Sequence, residues 1–144
     1  MPSETTIQAA GTGETALHLA AESGNVNMLQ FLLQLEADVL ARDGLGRTAL
    51  HVAVEAGKEN AVFELLKSPC VINAQAHNGQ TALHVAASLG NERLVGRLLI
   101  AGSNVDVKDA GGRTSLHLAV SSGHHNVLKT LVENGANINA RIEL

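Results

Sequence analysis

Apolar and polar positions along the chain repeat with a fixed beat of 33 residues. The leucines of the sequences Thr15-Ala16-Leu17-His18, Thr48-Ala49-Leu50-His51, Thr81-Ala82-Leu83-His84 and Thr114-Ser115-Leu116-His117 all keep this spacing, without insertion or deletion. After each anchor, positions such as Leu17, Ala20 and Ala21 give an i, i+3, i+4 apolar stripe, which predicts a short first helix. A second stripe follows in the column Met28, Ala61, Leu94, Val127, in the next column Leu29, Val62, Val95, Leu128, and in the pairs Leu32-Leu33, Leu65-Leu66, Leu98-Leu99 and Leu131-Val132. It predicts a second, longer helix in each unit. The anchor threonines suit helix N-caps, because a hydroxyl can accept from an orphan backbone N–H. Gly24, Gly57, Gly90 and Gly123 fall between the two stripes, where a left-handed C-cap is wanted. The segment Ala136–Ala140 and its relatives read as short extended pieces leading to a projecting turn.

Aligned on the anchors, the chain divides into 11–43, 44–76, 77–109 and 110–142, with an N-terminal extension 1–10 and a tail 143–144. One such unit cannot bury its apolar stripes alone, whereas stacked units share a continuous core. The expected fold is therefore all-α: a solenoid of helix-turn-helix units joined by turn or hairpin loops.

Composition narrows the chemistry. With 45% apolar and 17% charged residues, the 144-residue chain has the makings of a folded domain. The net charge of −4 argues against nucleic acid, whose phosphates call for a basic surface. No apolar run approaches the ~20 residues needed to span a bilayer, and residues 1–10 lack the pattern of a signal peptide. Cys70 is alone, so no intrachain disulfide can form, which leans towards an intracellular location in cytoplasm or nucleus. Trp and Tyr are absent and Phe occurs twice, leaving small aliphatic residues to fill the core. Phe31 and Phe63 stand in second-helix columns otherwise polar or small; Phe31 is expected to pack across a unit junction and Phe63 to lie exposed on the back.

The unit resembles the ankyrin repeat, whose motif runs Asp-x-x-Gly-x-Thr-Pro/Ala-Leu-His-x-Ala-Ala, then Gly-His, Leu-Leu and Gly-Ala-Asp-Val-Asn-Ala. The resemblance spans 11–142, with departures at Glu36, Leu40, Pro69-Cys70-Val71, Gly96, Val107 and Ser115. These irregularities favour a natural sequence over an idealised engineered binder of the same type. The resemblance implies an elongated stack with a concave face of turn tips and first helices, a convex back of second helices, and a protein-binding role without catalysis or cofactor. A structural spacer or oligomerisation element, acting through stack ends or back, is the competing reading. Neither end carries a polar cap, so the stack is expected to be a fragment of a larger regulatory protein and a monomer in isolation.

Candidate residues divide into joints and surface. The pairs Thr15/His18, Thr48/His51, Thr81/His84 and Thr114/His117 invite a metal or catalytic reading. Units lie a helix width (~10 Å) apart, however, so their histidines cannot share a metal with ~2 Å bonds. Each imidazole is instead expected to tie its threonine to backbone of the next unit. Cys70 lacks an evident activating partner, and the turn Asp109-Ala110-Gly111-Gly112 lacks the lysine of a phosphate loop. Neither a catalytic residue nor a metal, cofactor or small-molecule substrate is therefore assigned. Carrying the family's binding positions over gives Leu45, Arg47, Glu55, His77, Asn78, Gln80, Leu89 and Arg113 as partner-binding candidates. Leu45 and Leu89 are apolar where solvent is expected, and Arg47 and Arg113 can present forked donors to carboxylates. The resemblance also makes Asn73 and Asn139 candidates for hydroxylation by an asparagine hydroxylase; the alternative is that they hydrogen-bond the turn.

Overall fold

The computed structural model describes residues 13–142. Its eight α-helices come in antiparallel pairs: α1 (Ala16–Ser23) with α2 (Val26–Gln34), α3 (Ala49–Glu55) with α4 (Glu59–Leu65), α5 (Ala82–Leu89) with α6 (Glu92–Ile100), and α7 (Ser115–Ser121) with α8 (His125–Glu133). First helices stack on one another in the order α1, α3, α5, α7, and second helices form a row behind them. No strand element occurs among the described residues.

Each first helix begins at its anchor threonine. Thr15, Thr48, Thr81 and Thr114 all take an extended conformation and share a reciprocal capping arrangement with the histidine three residues on. Asn25 and Asn91 cap α2 and α6 by accepting from the N–H of Met28 and Leu94. The helices are too short to be stable alone. What holds them is one apolar cluster running unbroken from Leu17 to Ala136, built from Leu17, Leu50, Leu83 and Leu116 in front and Leu29, Leu65, Leu98 and Leu131 behind.

Two expectations are corrected, on the late segments and on the phenylalanines. The Ala136–Ala140 segment and its relatives are tight turns, not extended pieces; Ala140 N–H donates to Asn137 O at 3.1 Å, and Ala41 and Ala74 make the equivalent bond. Pro69–Val71 winds into a 3-10 turn that buries Val71. The two phenylalanines exchange roles. Phe31 is exposed, whereas Phe63 is half-buried against the core with the Arg97 guanidinium 4.4 Å above its ring centroid. The reason is register. Residues of the Phe63 column face the residue 34 positions on, as Gln30 faces Glu64 (3.0 Å) and Phe63 faces Arg97. The Phe31 column supplies the covering residues Glu64 and Arg97, and Phe31 itself is exposed because no described unit stands before it to be covered.

Glu36 is the one non-glycine described with positive φ, at 64°, in the column that holds Gly102 and Gly135. A side chain there costs about 1 kcal/mol. Glu36→Gly is expected to raise stability by about that amount in denaturant unfolding; an unchanged midpoint would show that the side chain repays the strain.

Candidate functional site

The anchors form a ladder of joints between units. Thr15 N–H donates to His18 Nδ1 at 3.1 Å, and the Thr15 hydroxyl lies 2.9 Å from the same nitrogen. With Nδ1 accepting, the ring proton sits on Nε2, which donates to Arg47 O at 2.7 Å. The same arrangement recurs from His51 to Gln80 O (2.8 Å) and from His84 to Arg113 O (3.0 Å). His117 donates instead to Ala140 O at 2.9 Å, in its own tail. Each acceptor before α3, α5 and α7 is the residue preceding the next anchor threonine, so one imidazole fixes two helix starts. Burial disfavours the charged ring and pushes His51 and His84 below the ordinary imidazole range, although the carbonyl acceptors Gln80 and Arg113 pull the other way. Among the described residues, no three of His, Cys, Asp and Glu converge as a metal would require.

Beside the joints, the turn tips pair with one another along the stack. His77 N–H donates to Leu45 O at 3.0 Å, and Ala110 N–H to Asn78 O at 2.9 Å. Gly46 makes the first of these approaches feasible: its φ is +76°, and a Cβ there would lie 2.2 Å from the His77 ring. Asp43 holds one tip from inside. Its Oδ1 accepts from the N–H of Leu45 and of Arg47, each at 2.9 Å, and its Oδ2 accepts from Arg47 Nε at 2.8 Å. Asp109 does the same for Gly111 and Arg113. Burial alone would raise both carboxyls, but the arginine N–H donors and guanidinium charges hold them below the usual carboxylate range. The motif's leading aspartate was the signal for both residues, and sequence reasoning passed over it.

Between the second and third units these tips and the ends of α3 and α5 enclose a groove of about 430 Å³. Leu45, Arg47, Glu55, His77, Asn78, Gln80 and Leu89 all line it, together with the joint residue His51, with Ser88, and with Ala76 and Val85, the two that the sequence had not singled out. Leu45 is 63% exposed and Leu89 53%. Arg113 lies outside, with its Nε 3.2 Å from Asp109. Arg47 is already engaged on two sides, by Asp43 and by Glu55 Oε2 at 2.7 Å, so it braces the wall of the groove more than it offers a free fork. Asn73 and Asn139 are exposed and away from the groove. Asn73 Oδ1 accepts from Asn104 N–H at 2.8 Å, and Asn139 N–H donates to Asn137 Oδ1 at 3.0 Å. Cys70 is exposed on its 3-10 turn.

The paired helices, their projecting tips and the anchor ladder define a repeat solenoid. The chain belongs to the ankyrin-repeat family: the model described as ankyrin repeats (3 copies) matches residues 2–76 and again 55–142. No curated protein matches the chain. Ankyrin repeats are as a class protein–protein interaction modules, typically without catalysis. Among the described residues, no helix is long and apolar enough to cross a membrane.

Proposed function

We propose that this protein is a binding module that docks a segment of a partner protein in the concave groove between its second and third units. The observation that carries this is the pair of leucines, Leu45 and Leu89, each more than half exposed and both lining one groove. Exposed apolar surface gathered in a concavity and rimmed by polar groups is what partner sites look like. Val85 and Ala76 give the groove an apolar floor, while Asn78, Gln80 and Glu55 supply polar contacts at its edge. The Asp43 bracket and the tip-to-tip hydrogen bonds hold this surface before any partner arrives, so little ordering is lost on binding. The expected partner segment presents an apolar side chain between the leucines and donors toward Glu55.

The test compares capture of partners by the intact chain and by a variant with Leu45→Ala, His77→Ala and Leu89→Ala. All three side chains are exposed, and Arg47 is left in place because its loss would strand the buried Asp43 carboxylate. The variant is expected to keep its melting temperature and to bind captured partners at least ~10-fold more weakly. Equal affinity would remove the groove from the account.

A further inference from the structure

The stack ends carry the same apolar columns that internal junctions bury. Ala21, Val54 and Ala87 share one first-helix column and are 0% exposed; the fourth member, Val120 on α7, is 58% exposed. Ala61, Leu94 and Val127 share a second-helix column and are at most 1% exposed; its first member, Met28 on α2, is 49% exposed. Each column is thus covered wherever a neighbouring described unit stands and bare only at one end of the described stack. Leu19 repeats the pattern at the α1 end, where its counterparts Val52 and Leu118 are buried and Val85 is half-buried. Ile138 repeats it at the α8 end, where its counterpart Ile72 is buried and Val39 and Val105 are half-buried against the core. Among the described residues, neither end of the stack presents the polar outer face that closes a solenoid. The α1 end is also dished, with a recess of about 280 Å³ lined by Ala16, Leu19, Met28 and Leu32 among others.

We propose that two copies of this chain stack head to tail, the Val120 and Ile138 face of one seated on the Leu19 and Met28 face of the next. The complementarity of these two faces is written inside the molecule, because the same pair of faces already meets between successive units along the stack. The contact is heterologous, joining two different surfaces, so it does not close and continues into short filaments as concentration rises. This departs from the monomer expected from the sequence and does not depend on the groove.

Sedimentation velocity across a concentration series tests it with four samples: the parent chain, Met28→Glu, Val120→Glu and an equimolar mixture of the two variants. The parent is expected to grow beyond two chains at the highest concentrations. Each variant alone has one spoiled face in every possible junction and is expected to stay a single chain. Their mixture keeps one good pairing, the intact α7/α8 end of Met28→Glu on the intact α1/α2 end of Val120→Glu, and is expected to stop at two chains. Helicity by circular dichroism checks folding, with Leu19→Glu and Ile138→Glu replacing any variant that loses it. A parent chain that stays single throughout, or a dimer that one variant leaves intact, overturns the proposal.

Discussion

Replacing His51 by alanine is expected to lower stability by about 3 kcal/mol, without touching any side chain that reaches outward from the groove. The ring is 2% exposed and serves three groups at once: Thr48 N–H at 3.2 Å, the Thr48 hydroxyl at 3.0 Å, and Gln80 O at 2.8 Å. Removing it leaves buried polar groups unpaired, at about 1–3 kcal/mol each, and opens a cavity beneath α3. In a stack where each unit touches only its neighbours, weakening the middle junction uncouples the two halves. Denaturant unfolding of His51→Ala is therefore expected to lose its single steep transition as well as its midpoint. His117→Ala is the control. That ring is half-buried and keeps the contacts to Thr114, but its Nε2 reaches Ala140 of its own unit and not a following one, so the loss is expected to be smaller. Equal losses at the two positions would mean that the ladder does not couple the units.

Acid is expected to loosen the same joints before it protonates the carboxylates. His51 and His84 have folded-state pKa values below the ordinary 6.5, so the unfolded chain binds protons that the folded chain refuses. Stability from these two rings is fully present above pH 6.5 and falls as pH drops below it, by about 1.4 kcal/mol per pH unit from each, until the folded-state pKa is reached. Asp43 and Asp109, also depressed, add a second loss below their ordinary 3.8. Denaturant midpoints measured between pH 7.5 and about pH 5 check this, and His51→Ala should flatten the upper part of the profile. A profile flat down to the carboxylate range would show that the buried rings accept a proton at no cost.

The helix pairs were legible because each leans on a column that repeats every 33 residues; Leu17, Leu50, Leu83 and Leu116 cannot be read in another period. The groove was half legible. Leu45 and Leu89 stood out because they are apolar where other units are polar or small, and both line one cavity. Its floor, Ala76 and Val85, was not legible, because a column says which residues are equivalent but not which ones face each other across a junction. The same gap reversed the phenylalanines: an offset of 34 between facing residues, not 33, sets Phe63 under Arg97 and puts Phe31 in the covering column, with no described unit before it to cover. Periodicity also hides end effects. Met28 belongs by column to the core and by position to the surface, since burial depends on a neighbour and no described unit stands before the first. Arg47 was misjudged in a different way. Its charge is plain in the sequence, but its engagement with Asp43 and Glu55 depends on a turn only the fold closes.

On the proposed reading the anchors are joints and a partner docks beside them, in the groove they hold open. Hydrogen–deuterium exchange of the chain with and without a captured partner separates joints from docking surface. Backbone amides across Leu45–Arg47, His77–Gln80 and Ser88–Leu89 are expected to slow on binding, while those on the backs of α2, α4 and α6 keep their free rates. Protection confined to the second helices, with the tips and the groove unchanged, would contradict the account.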